Sequence, residues 1–374
     1  MTDFDVAIVG AGAVGASCAY ALAPTHRVLL LETETQPGYH TTGRSAALFE
    51  EAYGPRVIRQ ITCASRPFFE APPPGFTEHP LLAPRGALFI AAAGKDASVE
   101  KGLAEALPGT VVEIDRREAL SLCPPLDPTW LARALYDAAA MDMDVHAIHR
   151  GYLKGFKAAG GTLACDAELE HLDRSAGMWT LRTKAGTFRA KQIVNAAGAW
   201  ADRVGALAGA RPIGIVPKRR TAFVFEVPVA MATLAGWPMA CEIDETFYFK
   251  PEAGLMLASP ADETPSEPCD AQPEEIDIAE CAERVEAATT LKIERIRRKW
   301  AGLRCFVADK CPVLGPDDRV EGMHWAAAPG GYGIMTSPAV GRIVAGFVRG
   351  TGLPEDIAAM GVRPAELSPA RLHA

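Results

Sequence analysis

The chain has 374 residues, 49% of them hydrophobic and 22% charged, a globular balance that excludes disordered, collagen-like and disulfide-scaffold classes. At ~150 residues per domain this length implies two or three units, and two domains are expected. The formal charge is −8, from 38 Lys and Arg against 46 Asp and Glu, and no basic run is long enough to track a phosphate backbone, so nucleic acid is not expected as a partner.

Phe4 to Val9 is a short apolar, β-branched run that reads as a buried parallel strand. It leads at once into Gly10-Ala11-Gly12-Ala13-Val14-Gly15 and a helical run from Ala16 to Ala23. In that order Gly10 permits the tight turn, Gly12 lets a pyrophosphate approach the backbone, and Gly15 lets the helix close onto the strand, with free N–H groups facing the phosphates. His26 to Leu31 makes a second buried strand that ends in Glu32, ~20 residues beyond the glycines, where an acid meets ribose hydroxyls. A carboxylate there repels a 2′-phosphate, which disfavours NADP and leaves NAD or FAD. Val6 to Ala23 is free of charge and long enough to suggest a membrane span, but its glycines divide it into strand, turn and helix, and no basic segment precedes it.

Gln36 to Ala47 (QPGYHTTGRSAA) is polar and small, a loop leading into a helix that starts near Gly43 to Ser45. The proline-dense stretch Ala71 to Pro84 reads as a connector, and Gly86 to Ala92 as a strand. Asp144 is placed to cap a helix over residues 145–158, with Ile148, Tyr152, Leu153 and Phe156 on one face and Gly160-Gly161 ending it. A strand pattern follows from Thr162 to Leu172. Trp179 to Thr183 and Gly186 to Ala190 alternate as a hairpin, which leads to the strand Gln192 to Asn195 and the turn Ala196-Ala197-Gly198. Residues 221–226 and 247–258 read as further strands, Ser259 to Pro273 as a linker, and Pro273 opens an acidic helix to about Thr290. Met323 to Ala328 is a strand that stops at Pro329-Gly330-Gly331-Tyr332-Gly333, before helical spacing from Ile334 to Val348. This third strand, glycine turn and helix would favour negative charge on a bound group.

The nine Cys are an odd number with no zinc-ligand spacing among them, and they read as reduced thiols in a cytoplasmic chain. His146 and His149 sit three apart with no Cys or carboxylate beside them, which reads as the surface of a helix. No metal is expected.

Through VAIVGAGAVGAS with LLETETQPG, IVNAAGAWAD, WAGLRCFVADKCPVLG and AAAPGGYGIMTS, in this order, the chain resembles the D-amino acid oxidase superfamily of FAD-dependent oxidoreductases. Within it, YHTTGRSAA, PKRRTAFVF, ETFYFKPEAG and the C-terminal LSPARL resemble the bacterial D-arginine dehydrogenases. The resemblance implies an α/β (α+β) fold in two parts. A discontinuous Rossmann-like FAD-binding domain with a parallel sheet would take residues 1–47, 140–219 and 300–374. A substrate domain built on an antiparallel sheet would take 48–139 and 220–299. It further implies a D-amino acid dehydrogenase with non-covalent FAD, since neither Cys305 nor Cys311 sits in a covalent attachment motif.

Carried over position by position, the resemblance puts Gly10, Gly12, Val14, Gly15 and Glu32 on the cofactor, with the backbone near Leu169 and the Ala197-Gly198 turn alongside. Arg44 and Ser45 would lie along the pyrophosphate, and Gly330, Gly331, Tyr332, Gly333 and Ile334 would line the isoalloxazine. Arg220 and Arg304, with the Tyr248 hydroxyl, would grip the carboxylate of a small amino acid substrate. Strand alternation turns Arg220 away from its neighbour Arg219. Tyr53 would cover the bound side chain and the Gly331 carbonyl would hold the amine. Hydride transfer from the α-carbon to flavin N5 would leave an imine that hydrolyses to a 2-oxo acid and ammonia, with catalysis resting on orientation and flavin electronics. The electron acceptor, a quinone or oxygen, stays open. A membrane quinone would bring the protein peripherally to the inner membrane.

Enzymes specialised for D-arginine carry a glutamate at the position of Ala87 and a histidine at that of Leu48, and both are apolar here. Losing that acid forfeits a charge-assisted bond of about 1.5–3 kcal/mol, so apolar or mid-sized D-amino acids are expected over D-arginine. Glu50 and Glu51 lie near in sequence, and either could restore the charge. Two alternatives use the same residues: a flavin dehydrogenase of 2-hydroxy acids or N-methylglycine-type amines, and a non-catalytic dinucleotide-binding module.

Overall fold

The structure is a computed structural model that describes residues 3–106, 109–228 and 236–373. Among these residues the backbone forms an eight-stranded sheet, a nine-stranded sheet and a small three-stranded one. At the centre of the first sheet lies Asp3–Val9, paired in parallel with Val28–Leu31 on one side and Gly186–Asn195 on the other. Its residues alternate between two cores. Val6 and Ile8 pack with the helices Ala13–Leu22 and Ser337–Val348, whereas Ala7 and Val9 face Ile193, Trp325 and the Ala201–Leu207 helix. A sheet covered on both faces explains why these strands are apolar throughout rather than at every second position.

Gly186–Asn195 joins what the sequence suggests are a hairpin arm and a separate strand. Its first half pairs antiparallel with Met178–Thr183, and its last three residues pair in parallel with Met323–Ala327 on the same edge. Three neighbouring parallel strands therefore end side by side, and each runs into one of the three glycine turns. A ligand of an open α/β sheet binds at such carboxyl ends.

The second sheet is built on two long antiparallel strands, Val216–Phe225 and Ile296–Phe306, and continues through Leu255–Ser259, Tyr248–Glu252, Met239–Glu242, Ala87–Ala91 and Arg133–Asp137. Both long strands run unbroken across positions 219/220 and 299/300. Residues 247–258 form a hairpin of two strands around Ala253 and Gly254, not one.

The helix Val145–Ala158 begins where expected, with the Asp144 carboxylate accepting from the Ala147 amide at 2.8 Å. No helix starts at Gly43 to Ser45. Thr41–Arg44 is a single 3₁₀ turn, Ser45 is extended, and the next helix is Arg56–Glu70. The Arg44 guanidinium is drawn onto the second sheet by the carbonyls of Ala271 (3.0 Å) and Ala301 (2.9 Å), which holds this segment open. The strand pattern from Thr162 to Leu172 also divides, into Thr162–Ala164 and Leu169–Ser175, because Asp166 takes a left-handed φ of 50° and turns the chain onto the carbonyls of Glu32 and Glu34. His149 is buried, not on the helix surface, and its Nε2 lies 2.8 Å from the Ala11 carbonyl under the first glycine turn. All nine Cys are free thiols. Among the described residues no helix is long and apolar enough to cross a membrane, and no cluster of three or more His, Cys, Asp or Glu side chains could hold a metal ion.

Candidate active site

A cleft runs between the two large sheets as two adjoining cavities that share Gly12, Thr41, Thr42, Arg44, Ala196, Gly198, Gly302 and Leu303. Gly10, Gly12, Glu32, Leu169, Ala197 and Gly198 line the first. Gly10 has φ +101°, and a Cβ there would meet the Ala196 carbonyl at 2.4 Å, so the turn admits only glycine. The helix that follows has no side-chain cap and no acid in its first turn, which leaves its positive end to an anion. The Ala13 amide already donates to Thr42 Oγ1 at 3.0 Å. Glu32 is only 8% exposed and accepts from the Ala11 and Glu34 amides, both at 3.1 Å. Burial still raises its pKa above the ordinary carboxylate value, against the pull of those amides.

Arg220, Tyr248, Arg304, Tyr53, Leu48 and Glu50 line the second cavity, opposite Val14 and the turn Gly330, Gly331, Gly333 and Ile334. The pairing of the long strands makes this arrangement. Lys218 lies opposite Arg304 and Arg220 opposite Gly302, so both arginines point from one face of the sheet. Arg219 points from the other face, to Asp262, Glu274 and Asp277. Arg220 is 9% exposed, its nearest acid among the described residues is Glu263 at 3.4 Å, and its buried Nε has no partner among them. Burial opposes the charge of Arg304, but the hydroxyls of Tyr53 and Tyr248 and the Glu245 carboxylate outweigh it and raise its pKa. A Cβ on Gly331 would sit 2.9 Å from the Arg304 guanidinium, so glycine allows the cation to lie against the turn. The Gly330 amide donates to the Cys305 carbonyl at 2.9 Å, which fixes the turn to the strand that carries Arg304. Burial pushes the Cys305 thiol up to about 12, so it stays protonated.

The remaining expected residues sit differently. Gly15 lines neither cavity and presses against the Gly10 carbonyl. Tyr332 is buried behind Tyr53, their ring centroids 5.1 Å apart. Ala87 is fully buried away from the cavity, and Phe89, two residues on, is the side chain of that strand that lines it. Arg44 and Ser45 do line the cleft, but the Arg44 head group is bound to Ala271, Ala301 and Asp270. Sequence reasoning missed Thr42, Phe89, Met239, Cys241 and Glu245 as cavity residues. A period-2 count along Ala87–Ala91 could have found Phe89.

The uncapped helix end, the crowded glycines of the first and third turns and the orphaned Arg220 Nε suit a long ligand with a phosphate middle and one anionic partner. Comparisons with known proteins agree. The family model described as FAD dependent oxidoreductase (DAO) matches residues 5–346. Glycine oxidase of Geobacillus kaustophilus (strain HTA426) is 26% identical over 363 residues, which cover 92% of this chain and 93% of that protein. A crystal structure of glycine oxidase from Geobacillus kaustophilus matches with a TM-score of 0.85 at 23% identity over 99% of both chains, and L-proline dehydrogenase from P. horikoshii with 0.83 at 19% over 99% of this chain and 97% of that one. The mitochondrial dimethylglycine dehydrogenase of Mus musculus is 24% identical over 63% of this chain but only 29% of its own length, so the chain spans less than a third of that relative. The chain belongs to the DAO family of FAD-dependent oxidoreductases, with FAD as its cofactor.

Proposed function

We propose that the protein oxidises the α-carbon–nitrogen bond of an amino acid of the D series, giving an imine that water hydrolyses to a 2-oxo acid and ammonia. The observation that carries this reading is the convergence of Arg220, Arg304, Tyr53 and Tyr248 on the cavity formed with the Gly330-Gly331 turn. Two desolvated guanidiniums suit a carboxylate. In this reading Arg304 and Tyr248 hold it, Arg220 adds its free Nε, the Gly331 carbonyl accepts from the amine, and Tyr53 covers the side chain. Bound FAD supplies the acceptor for the hydride. The protein's part is to orient the α-hydrogen and exclude water. Gly10, Gly12, Val14, Glu32, Leu169, Ala197 and Gly198 would hold the nucleotide, and the Pro329–Ile334 turn the ring. Leu48, Phe89 and Met239 give the cavity an apolar wall suited to a mid-sized side chain. The resemblance of YHTTGRSAA and ETFYFKPEAG to D-arginine dehydrogenases supports the D series.

A second reading, oxidation of a secondary amine such as an N-methylglycine, draws support from the likeness to dimethylglycine dehydrogenase. An anaerobic screen that follows loss of flavin absorbance separates the two. D-Amino acids should bleach the flavin fastest, ahead of their L enantiomers, N-methylglycine and 2-hydroxy acids. Bleaching by N-methylglycine alone would replace the first reading by the second, and bleaching by 2-hydroxy acids alone would remove both.

A further inference from the structure

Glu50 follows the short strand Leu48–Phe49 and lines the same cavity as the two arginines, yet it is 6% exposed and, among the described residues, its carboxylate makes no hydrogen bond or ion pair. A buried carboxylate without a partner is unfavourable by several kcal/mol unless a ligand or a proton supplies one. Among the described residues no cation forms an ion pair with Glu50. Arg59, the positive group that acts on Glu50 from the helix Arg56–Glu70, has its Nε on the Gly54 carbonyl at 2.6 Å and reaches the Glu105 carbonyl. The other groups facing Glu50 make matters worse. Asp137 is buried at the end of its strand, Glu245 accepts from the Tyr53 hydroxyl at 3.2 Å, and the Cys241 thiol is itself pushed up by burial and by Glu245 and Glu50. Leu48, Phe89 and Met239 line the same cavity and give it an apolar wall.

We infer that Glu50, with Glu245 beside it, forms a subsite for a positively charged group at the far end of the substrate, so that the side chain taken is an aliphatic stem ending in an ammonium or guanidinium. This rests on the proposed reading of the arginines as the carboxylate site. It also reverses the preference expected from Ala87, because the acid enters from a different strand. Burial and the neighbouring carboxylates raise the Glu50 pKa to about 8, so at pH 7 the empty subsite holds a proton that an arriving cation displaces.

Equilibrium binding of valerate and 5-aminovalerate to the FAD-loaded enzyme, by calorimetry and flavin absorbance, isolates the subsite, since neither carries an α-amine to be oxidised. Hexanoate and 6-aminohexanoate test the reach. At one of these lengths the amino form should bind about tenfold or more tightly than its parent acid, and release a proton seen as a buffer-dependent heat. Glu50→Gln should abolish both effects and leave binding of the parent acid unchanged, and Glu50→Asp should retain the preference in weaker form. Equal affinities at both lengths, or a preference that survives in Glu50→Gln, would overturn the subsite alone. If no carboxylate binds, the carboxylate reading falls and takes this inference with it.

Discussion

The two ends of the cleft are made of different material. Around the first cavity the work is done by backbone and small residues, Gly10, Gly12, Ala197 and Gly198, and the one buried acid, Glu32, has its amide partners already in place. Around the second, charged and aromatic side chains converge from separate elements, and among the described residues the buried Arg220 Nε has no partner and the Glu50 carboxylate no hydrogen bond or ion pair. A phosphate-bearing ligand common to many enzymes can be met by fixed geometry close in sequence. Selection of one substrate needs buried polar groups whose full complement arrives with that substrate.

The comparison breaks most visibly at Gly15. A valine there puts Cβ 1.8 Å from the Gly10 carbonyl, and the protein should lose its bound flavin colour and fold stability together, by more than 3 kcal/mol in a denaturant melt. Arg304→Leu should separate the two ends. We expect kcat/KM to fall roughly 30-fold to several thousand-fold, the loss of about 2–5 kcal/mol from a desolvated charge pair, while the flavin content of the purified protein stays at wild-type level. If flavin is lost in step with activity, the ends are not independent. Arg44→Ala acts on the wall common to both, and removing its bonds to Ala271, Ala301 and Asp270 should lower stability by about 1–3 kcal/mol. A last test varies pH. The Glu50 pKa is raised from its ordinary 4.5 to about 8, so the folded state binds this proton more tightly than the unfolded one. The stability it contributes is full below about 4.5 and is lost as pH rises through about 8. Stability of the unliganded protein should therefore decline over that window, by at most about 1.4 kcal/mol per pH unit, and Glu50→Gln should flatten the decline. An identical slope in the variant would mean that Glu50 is already ionised at neutral pH.

The same contrast decided what could be read from the residues. The strand Phe4 to Val9, the three glycine turns and the Asp144-capped helix were legible because each is set by neighbours along the chain. The turn at Thr41–Arg44 was not, since Arg44 is held by carbonyls more than two hundred positions away. The helix Arg56–Glu70 was missed altogether. It carries Pro67, which argues against a helix along the chain, and buries polar Thr62 and Ser65, which satisfy themselves on the carbonyls of Ile58 and Ile61. At the reactive end, alternation correctly turned Arg220 away from Arg219, but the register that sets Arg304 beside it belongs to the pairing of two remote strands. Ala87 misled for a similar reason: the β-strand it occupies is present, yet the cavity meets that strand at Phe89.

The bridge from the Gly330 amide to the Cys305 carbonyl has a mechanical consequence. It couples one sheet to the other at the residue next to Arg304, and the absence of a Cβ on Gly331 brings the guanidinium into contact with the same turn. Breathing of the two halves cannot change the spacing between cation and turn without first breaking that bond, so the grip on the acid end of a ligand is set before the ligand arrives. Amide hydrogen exchange should accordingly be slow at Gly330.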